Sequence, residues 1–168
     1  MIPQIDKEIG ISVYTTKSNP VNGKIKQNED DFLVSEVLSD TILSSFDNPE
    51  GHAVYLLKKS GIDTNHALYD IEKRYGIVLK SLGLKDANAI TKQFVYTYKK
   101  LNSLEKIEGK KYLATRIGFS QKPISKKHML GNLFEIVVSE ITNTLPTFSD
   151  NEKFLNFFGY QRFGSRRP

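Results

Sequence analysis

Apolar and polar positions alternate along Phe32-Leu33-Val34-Ser35-Glu36-Val37, the period-two pattern of a half-buried strand, and residues 23–26 read as a shorter strand before it. The acidic cluster Glu29-Asp30-Asp31 separates the two. Asp47-Asn48-Pro49-Glu50-Gly51 is a turn signal, and the β-rich run His52-Ala53-Val54-Tyr55-Leu56-Leu57-Lys58 behind it predicts another strand. The period then changes. Ala67, Leu68, Ile71 and Tyr75 recur at steps of three and four, which predicts an amphipathic helix capped by Asp63 or Thr64 and ended by Gly76. Strand composition returns at 94–98, 112–119 and 133–138, and 151–158 predicts a short helix after Ser149 or Asp150. One helix between two groups of strands predicts an α+β fold rather than a doubly wound parallel sheet. The polar segment 118–127, with Pro123, is the expected mobile loop.

At 168 residues and 39% hydrophobic content the chain can bury one core, so a single domain is expected. The net charge of +5 and pI near 9.2 point toward an anionic partner. Its distribution says more: residues 92–127 hold ten basic and two acidic side chains, whereas residues 1–50 hold four and nine. Such a field suits a protein lying on a phosphate backbone, and it equally suits a solvated lysine-rich surface. With no cysteine, disulfide frameworks and thiolate metal sites are excluded, and a reducing, cytoplasmic setting is expected. No apolar run has the length that spans a bilayer, so no membrane partner is expected.

The segment Gly83-Leu84-Lys85-Asp86-Ala87-Asn88-Ala89-Ile90-Thr91-Lys92-Gln93 sets one carboxylate in a frame of small and polar residues. Asp86 there is a turn former or helix cap on one reading. On the other it is a nucleophile, with Gly83 allowing close backbone approach and Thr91 and Gln93 holding the loop. A carboxylate nucleophile must stay ionised, which a nearby cation favours. Lys26 can supply that cation or be an ordinary edge-strand lysine; Lys85, leaving an extended segment on the opposite face, is a poor partner. Phe32 is a core residue or the wall of a pocket. Alternation puts Asn132, Phe134 and Ile136 on one strand face, where an amide and a ring can hold a nucleobase, although a core strand carries the same pattern. His52, His66 and His128 lack metal-ligand spacing, and neither a phosphate-binding nor a dinucleotide-binding glycine motif is present.

In their order along the chain these residues resemble the TruD family of tRNA pseudouridine synthases, archaeal in type. The resemblance rests on Lys26-Gln27-Asn28-Glu29-Asp30-Asp31-Phe32-Leu33-Val34-Ser35-Glu36, on 58–64, on Gly83-Leu84-Lys85-Asp86 with Ala89, Thr91 and Gln93, and on Gly131-Asn132-Leu133-Phe134. It also rests on Asn156-Phe157-Phe158-Gly159-Tyr160-Gln161-Arg162-Phe163-Gly164, of which Gln161, Arg162, Phe163 and Gly164 are the most specific part. The resemblance implies that Asp86 is the catalytic aspartate of a reaction that breaks a uridine's bond to nitrogen and remakes it to carbon. It implies that Lys26 and Phe32 line the site, with Lys26 paired to Asp86, and that Phe134 stacks on uracil beside Asn132. The implied substrate is a D-arm uridine of tRNA, position 13 in tRNA numbering, and no metal, nucleotide or redox cofactor is implied.

Glu29 stands where many relatives have proline, and Ala87 where many have a basic residue. Family members also continue into an inserted second domain and a C-terminal half. The chain is therefore expected to be the N-terminal portion of a pseudouridine synthase catalytic domain, with a mixed, mostly antiparallel sheet and flanking helices. Completed by a second polypeptide or by its own continuation, it would act on tRNA; alone, it is expected to be weakly active or inactive and prone to associate. The alternatives are a non-catalytic RNA-binding fragment and an inactive remnant.

Overall fold

The computed structural model describes residues 2, 4–8, 10–12, 22–98 and 104–144. It has two units, Lys24–Ser139 and a second formed by Met1–Gly23 with Glu140–Pro168. In the second unit α1 (Gln4–Glu8) is followed by a turn in which the Gly10 amide donates to the Lys7 carbonyl, and Asn22 Nδ2 donates to Thr142 Oγ1 at 3.2 Å.

The Lys24–Ser139 unit runs β1 (Lys24–Ile25), β2 (Phe32–Leu38), α2 (Asp40–Leu43), β3 (His52–Lys59), α3 (Thr64–Tyr75), β4 (Leu79–Ser81), β5 (Ile90–Thr97), β6 (Lys106–Gly109), β7 (Tyr112–Ser120), β8 (Met129–Ile136) and β9 (Val138–Ser139). β1 pairs with β9 as a small separate sheet. The main sheet has the order β6-β7-β3-β5-β2-β8, and β4 also pairs with β5. Among the described strands of the main sheet, β2 and β5 run parallel and the other pairs antiparallel, which makes the fold α+β as the element pattern predicts.

α3 forms where the apolar stripe predicts it. Its cap is Asp63, whose carboxylate accepts the His66 amide at 3.0 Å; that bond and the His66 ring hold the Asp63 carboxyl below its ordinary value. Thr64, the other cap candidate, is buried at the first helical position, and its hydroxyl is used elsewhere. Gly76 ends the helix in the left-handed conformation, φ 65°. Ala67 and Ile71 pack on one sheet face with Ala53, Tyr55, Leu57, Val95 and Ala114. A second cluster gathers Leu38, Phe46, Val54, Leu82 and Ile124.

Four expectations change, the first being the strand expected over 133–138, which begins at Met129 and ends at Ile136 and leaves Val138 to β9. The strand expected over 23–26 is two residues long, because Lys26 takes positive φ (59°) and turns the chain away. The strand expected over 94–98 starts at Ile90, so Thr91 and Gln93 belong to the sheet and not to the Asp86 loop. Segment 118–127 is fastened by buried Ile124 and by Ser120 Oγ donating to the Lys122 carbonyl at 2.7 Å. The helix expected over 151–158 lies outside the described residues.

Between Tyr55 and Val54 the pairing with β7 slips by one residue, from Arg116 to Gly118. At Gly118, φ is 151° and an added Cβ would lie 2.2 Å from the Phe46 carbonyl oxygen. Gly118→Ala is therefore expected to destabilise the fold by roughly 2–3 kcal/mol, read as a lower midpoint in urea unfolding. An unchanged midpoint would contradict this packing.

Candidate active site

Residues 82–89 connect β4 to β5, and the two strands meet in an unusual way. β2 pairs with the first part of one β5 edge (Ile90, Thr91, Lys92), and β4 takes the last part of the same edge (Val95, Tyr96, Thr97). The Phe94 amide falls in the gap and donates instead to Glu36 Oε2 at 2.9 Å. The other Glu36 oxygen receives Lys85 Nζ at 2.6 Å, with the two side chains 0% and 10% exposed. One buried carboxylate thus joins the sheet to the loop.

Four further groups fix the loop backbone. Gln93 Nε2 donates to the Gly83 carbonyl at 3.4 Å, and the Lys85 amide donates to Thr64 Oγ1 at 2.9 Å. Thr64 in turn donates its hydroxyl to Gln93 Oε1 at 2.9 Å. The buried Lys59 ammonium donates to the carbonyls of Ile62, Lys85 and Asp86 at 2.9, 3.1 and 2.9 Å. The Gly61 amide donates to the Ala87 carbonyl at 3.1 Å. Burial lowers the Lys59 pKa to about 8, against the pull of the Asp63 and Asp86 carboxylates and with a push from Lys85.

Asp86 is exposed, and its carboxylate accepts no hydrogen bond among the described residues; only its carbonyl is engaged. That separates it from Asp63, a true cap. The loop is held by everything except the carboxylate.

Ile90, four residues on, pairs with Leu33, so the loop enters β5 at the sheet end where β2 begins. There Lys26 Nζ lies 4.0 Å from the centroid of the Phe32 ring, and Phe32 meets Phe134 edge to face at 6.2 Å. Phe134 pairs with Val34 and Asn132 with Glu36, which puts both on the face of Phe32, as alternation predicts. Both are exposed. Lys26, Phe32 and Phe134 are brought together, but the expected ion pair between Lys26 and Asp86 is not formed among the described residues: the ammonium covers the Phe32 ring, and Lys85, which leaves the loop away from Asp86, is taken by Glu36. Gln161, Arg162, Phe163 and Gly164 lie outside the described residues.

Lys59, Glu36 and Thr64 lie inside the segments that carry the resemblance, Thr64 as a cap candidate, yet their part in building the site is not read from those segments. A signal for the first two was available. Lys59 stands in phase with the buried Ala53, Tyr55 and Leu57, and Glu36 in phase with Val34 and Leu38. A charge at the apolar phase of a strand has to be paired.

Outside the loop, Lys58 lies directly across from Lys92 on the sheet, and a hollow of about 410 Å³ is lined by Lys58, Lys110 and Lys111 together with Glu29. Like charges set opposite one another are unfavourable in isolation, and an anion laid over them relieves the repulsion.

The chain matches the family model for tRNA pseudouridine synthase D (TruD) over residues 8–168. A Sulfurisphaera tokodaii protein named "Probable tRNA pseudouridine synthase D" is 40% identical over 124 residues, 70% of this chain and 33% of that protein. The Pyrococcus furiosus protein of the same name is 33% identical across 95% of this chain and 40% of its own length. A crystal structure of the TruD protein of Methanosarcina mazei superposes with a TM-score of 0.78 at 28% identity, covering 99% of this chain and 41% of that one. The chain therefore spans well under half the length of these relatives.

Two substitutions in the polar frame should have opposite effects. Glu36→Ala strands the Lys85 charge and the Phe94 amide, and is expected to cost about 3 kcal/mol. Thr91 Oγ1 is buried with no partner among the described residues, so Thr91→Val should leave stability unchanged or raise it by up to about 1 kcal/mol. Denaturant titration of both variants checks the pair; a destabilised Thr91→Val would show that the hydroxyl has a partner after all.

Proposed function

Because the chain belongs to the tRNA pseudouridine synthase D family, we propose that it carries the nucleophile and part of the base pocket of an enzyme that isomerises a D-arm uridine of tRNA, at position 13, to pseudouridine. The observation that carries this reading is the Asp86 carboxylate: exposed, unbonded among the described residues, and presented by a backbone fixed on all sides.

The Asp86 carboxylate attacks the extruded nucleoside, the bond from the ribose C1′ to N1 of uracil breaks, and the base turns so that C5 forms the new bond to C1′. C5 then loses its proton, N1 ends protonated, and the carboxylate is released, so the product has the mass of the substrate. The loop backbone holds the nucleophile in place, which is where most of the advantage of an oriented reactant lies. The ring of Phe134, with Phe32 against its edge, stacks on the uracil; Asn132 lies two residues away on the same face to bond its edge, and Lys26 supplies positive charge beside the aromatic pair. Extruding the base costs about a few kcal/mol, and Lys58, Lys92, Lys110 and Lys111 offset this through the phosphate backbone.

On this reading the residues form the N-terminal portion of the catalytic domain. β8 ends the order of the main sheet, and Leu130, Leu133 and Ile136 stay exposed along it, with Val137 just beyond. An open edge with apolar faces is where the family's remaining length would pair and pack. The working place is the cytoplasm, with tRNA; no helix among the described residues is long and apolar enough to cross a membrane.

Asp86→Asn tests the chemistry. Release of tritium from tRNA labelled at uridine C5 should be abolished while tRNA affinity stays within about twofold; product from the variant, or equal loss of binding, would refute the nucleophile. Size-exclusion chromatography tests the open edge: the isolated chain should elute as associated species with weak turnover. A monodisperse monomer with efficient turnover would refute the need for a completing half.

A further inference from the structure

Lys59 is the least exposed lysine of the site, at 1% residue exposure, and among the described residues its ammonium bonds only to main-chain carbonyls. Any buried ammonium needs acceptors, and here they come from two separate segments, Ile62 before α3 and Lys85 and Asp86 in the loop, which the one side chain ties together. Its three N–H groups match three carbonyls one for one.

We propose that Lys59 is a positioning residue of the reaction, acting through Asp86: its ammonium clamps the two carbonyls that flank the Asp86 backbone turn to the entrance of α3, and so sets the direction in which the Asp86 carboxylate leaves the loop. The charge matters as well as the geometry. The groups that face this ammonium are the Asp63 and Asp86 carboxylates and the Lys85 ammonium, from the loops around it, and, across the sheet, Thr91 on β5 and Tyr112 on β7 as its register partners. Two carboxylates against one ammonium leave a field that favours the charged form, and burial opposes it.

A clamp made of a titratable group gives a signature that a merely structural lysine lacks. Loss of the proton leaves two N–H groups for three carbonyls, so one anchor must open. With the Lys59 pKa lowered by burial to about 8 from an ordinary 10.5, the loop should loosen as pH rises through about 8. Global stability moves the other way. Between those two values the unfolded chain holds the proton that the folded chain has released, so stability due to this group rises with pH across that window and is at its lowest below it. Local loosening without global loss is the distinguishing pattern.

The proposal rests on the reading of Asp86 as the nucleophile, and its test is independent of turnover. Amide hydrogen exchange on the full chain reads the clamp at the Gly61, Thr64 and Lys85 amides, each bonded to or within the loop anchor, against the core amides of Leu57 and Val95. In Lys59→Met the first three should lose about tenfold or more of their protection while the core amides hold. Should that variant fail to fold, wild-type protection factors from about pH 7 to 9.5 decide, with the loop amides falling through the Lys59 titration and the core amides not falling. Loop protection that is unchanged in a folded Lys59→Met, or flat with pH where that variant does not fold, overturns the clamp. Either result leaves the Asp86→Asn tRNA assay standing as the separate test of the nucleophile.

Discussion

The structure depends on a bargain between charge and burial at the point where β2 and β4 share one edge of β5. Two strands that each take part of an edge leave a backbone amide without a ladder partner, and an unpaired buried amide costs about as much as a lost hydrogen bond. Glu36 fills that place, and having a buried carboxylate there demands a cation, which Lys85 provides. Lys85 lies next to Asp86, so closing the sheet and fixing the loop are one event. Lys59, Thr64 and Gln93 extend the same logic: each is polar, each is buried, and each finds its partner on the loop backbone or in a group that bonds it.

The result is a division of labour within five residues. Backbone groups from Gly83 to Ala87 are consumed by the scaffold, while the Asp86 carboxylate stays in solvent. Most loop aspartates do the reverse, spending the carboxylate on nearby amides to shape a turn. A polar network of this kind fixes geometry at the expense of stability that an apolar core would supply, which is a common signature of sites held ready for chemistry. The hydroxyl of Thr91, in register with Lys59 and unpartnered among the described residues, belongs to the same compromise.

Much of this was legible in the sequence, for identifiable reasons. Alternation placed Asn132 and Phe134 on one face because strand side chains alternate whatever the tertiary context, and the helix over 64–75 followed from its stripe and the Gly76 stop. The small and polar neighbours of Asp86 marked out the loop and left open whether its carboxylate shapes a turn. Pairing was not legible. Whether Lys26 meets a carboxylate or a ring depends on a positive-φ residue at the end of a two-residue strand, which no local pattern announces. Polar Thr91 and Gln93 at the buried phase of β5 mask the start of that strand, whereas the strands that carry Lys59 and Glu36 are legible and only the inward direction of these two side chains is not. Buried charges in a strand were the overlooked clue.

The central claim is that Asp86 sits on a backbone as rigid as the sheet, with its carboxylate free. Backbone ¹⁵N relaxation of the chain tests it most directly. The account predicts an order parameter at Lys85, Asp86 and Ala87 near about 0.85, matching the core strands; a value below about 0.6 would mark a flexible loop and contradict it.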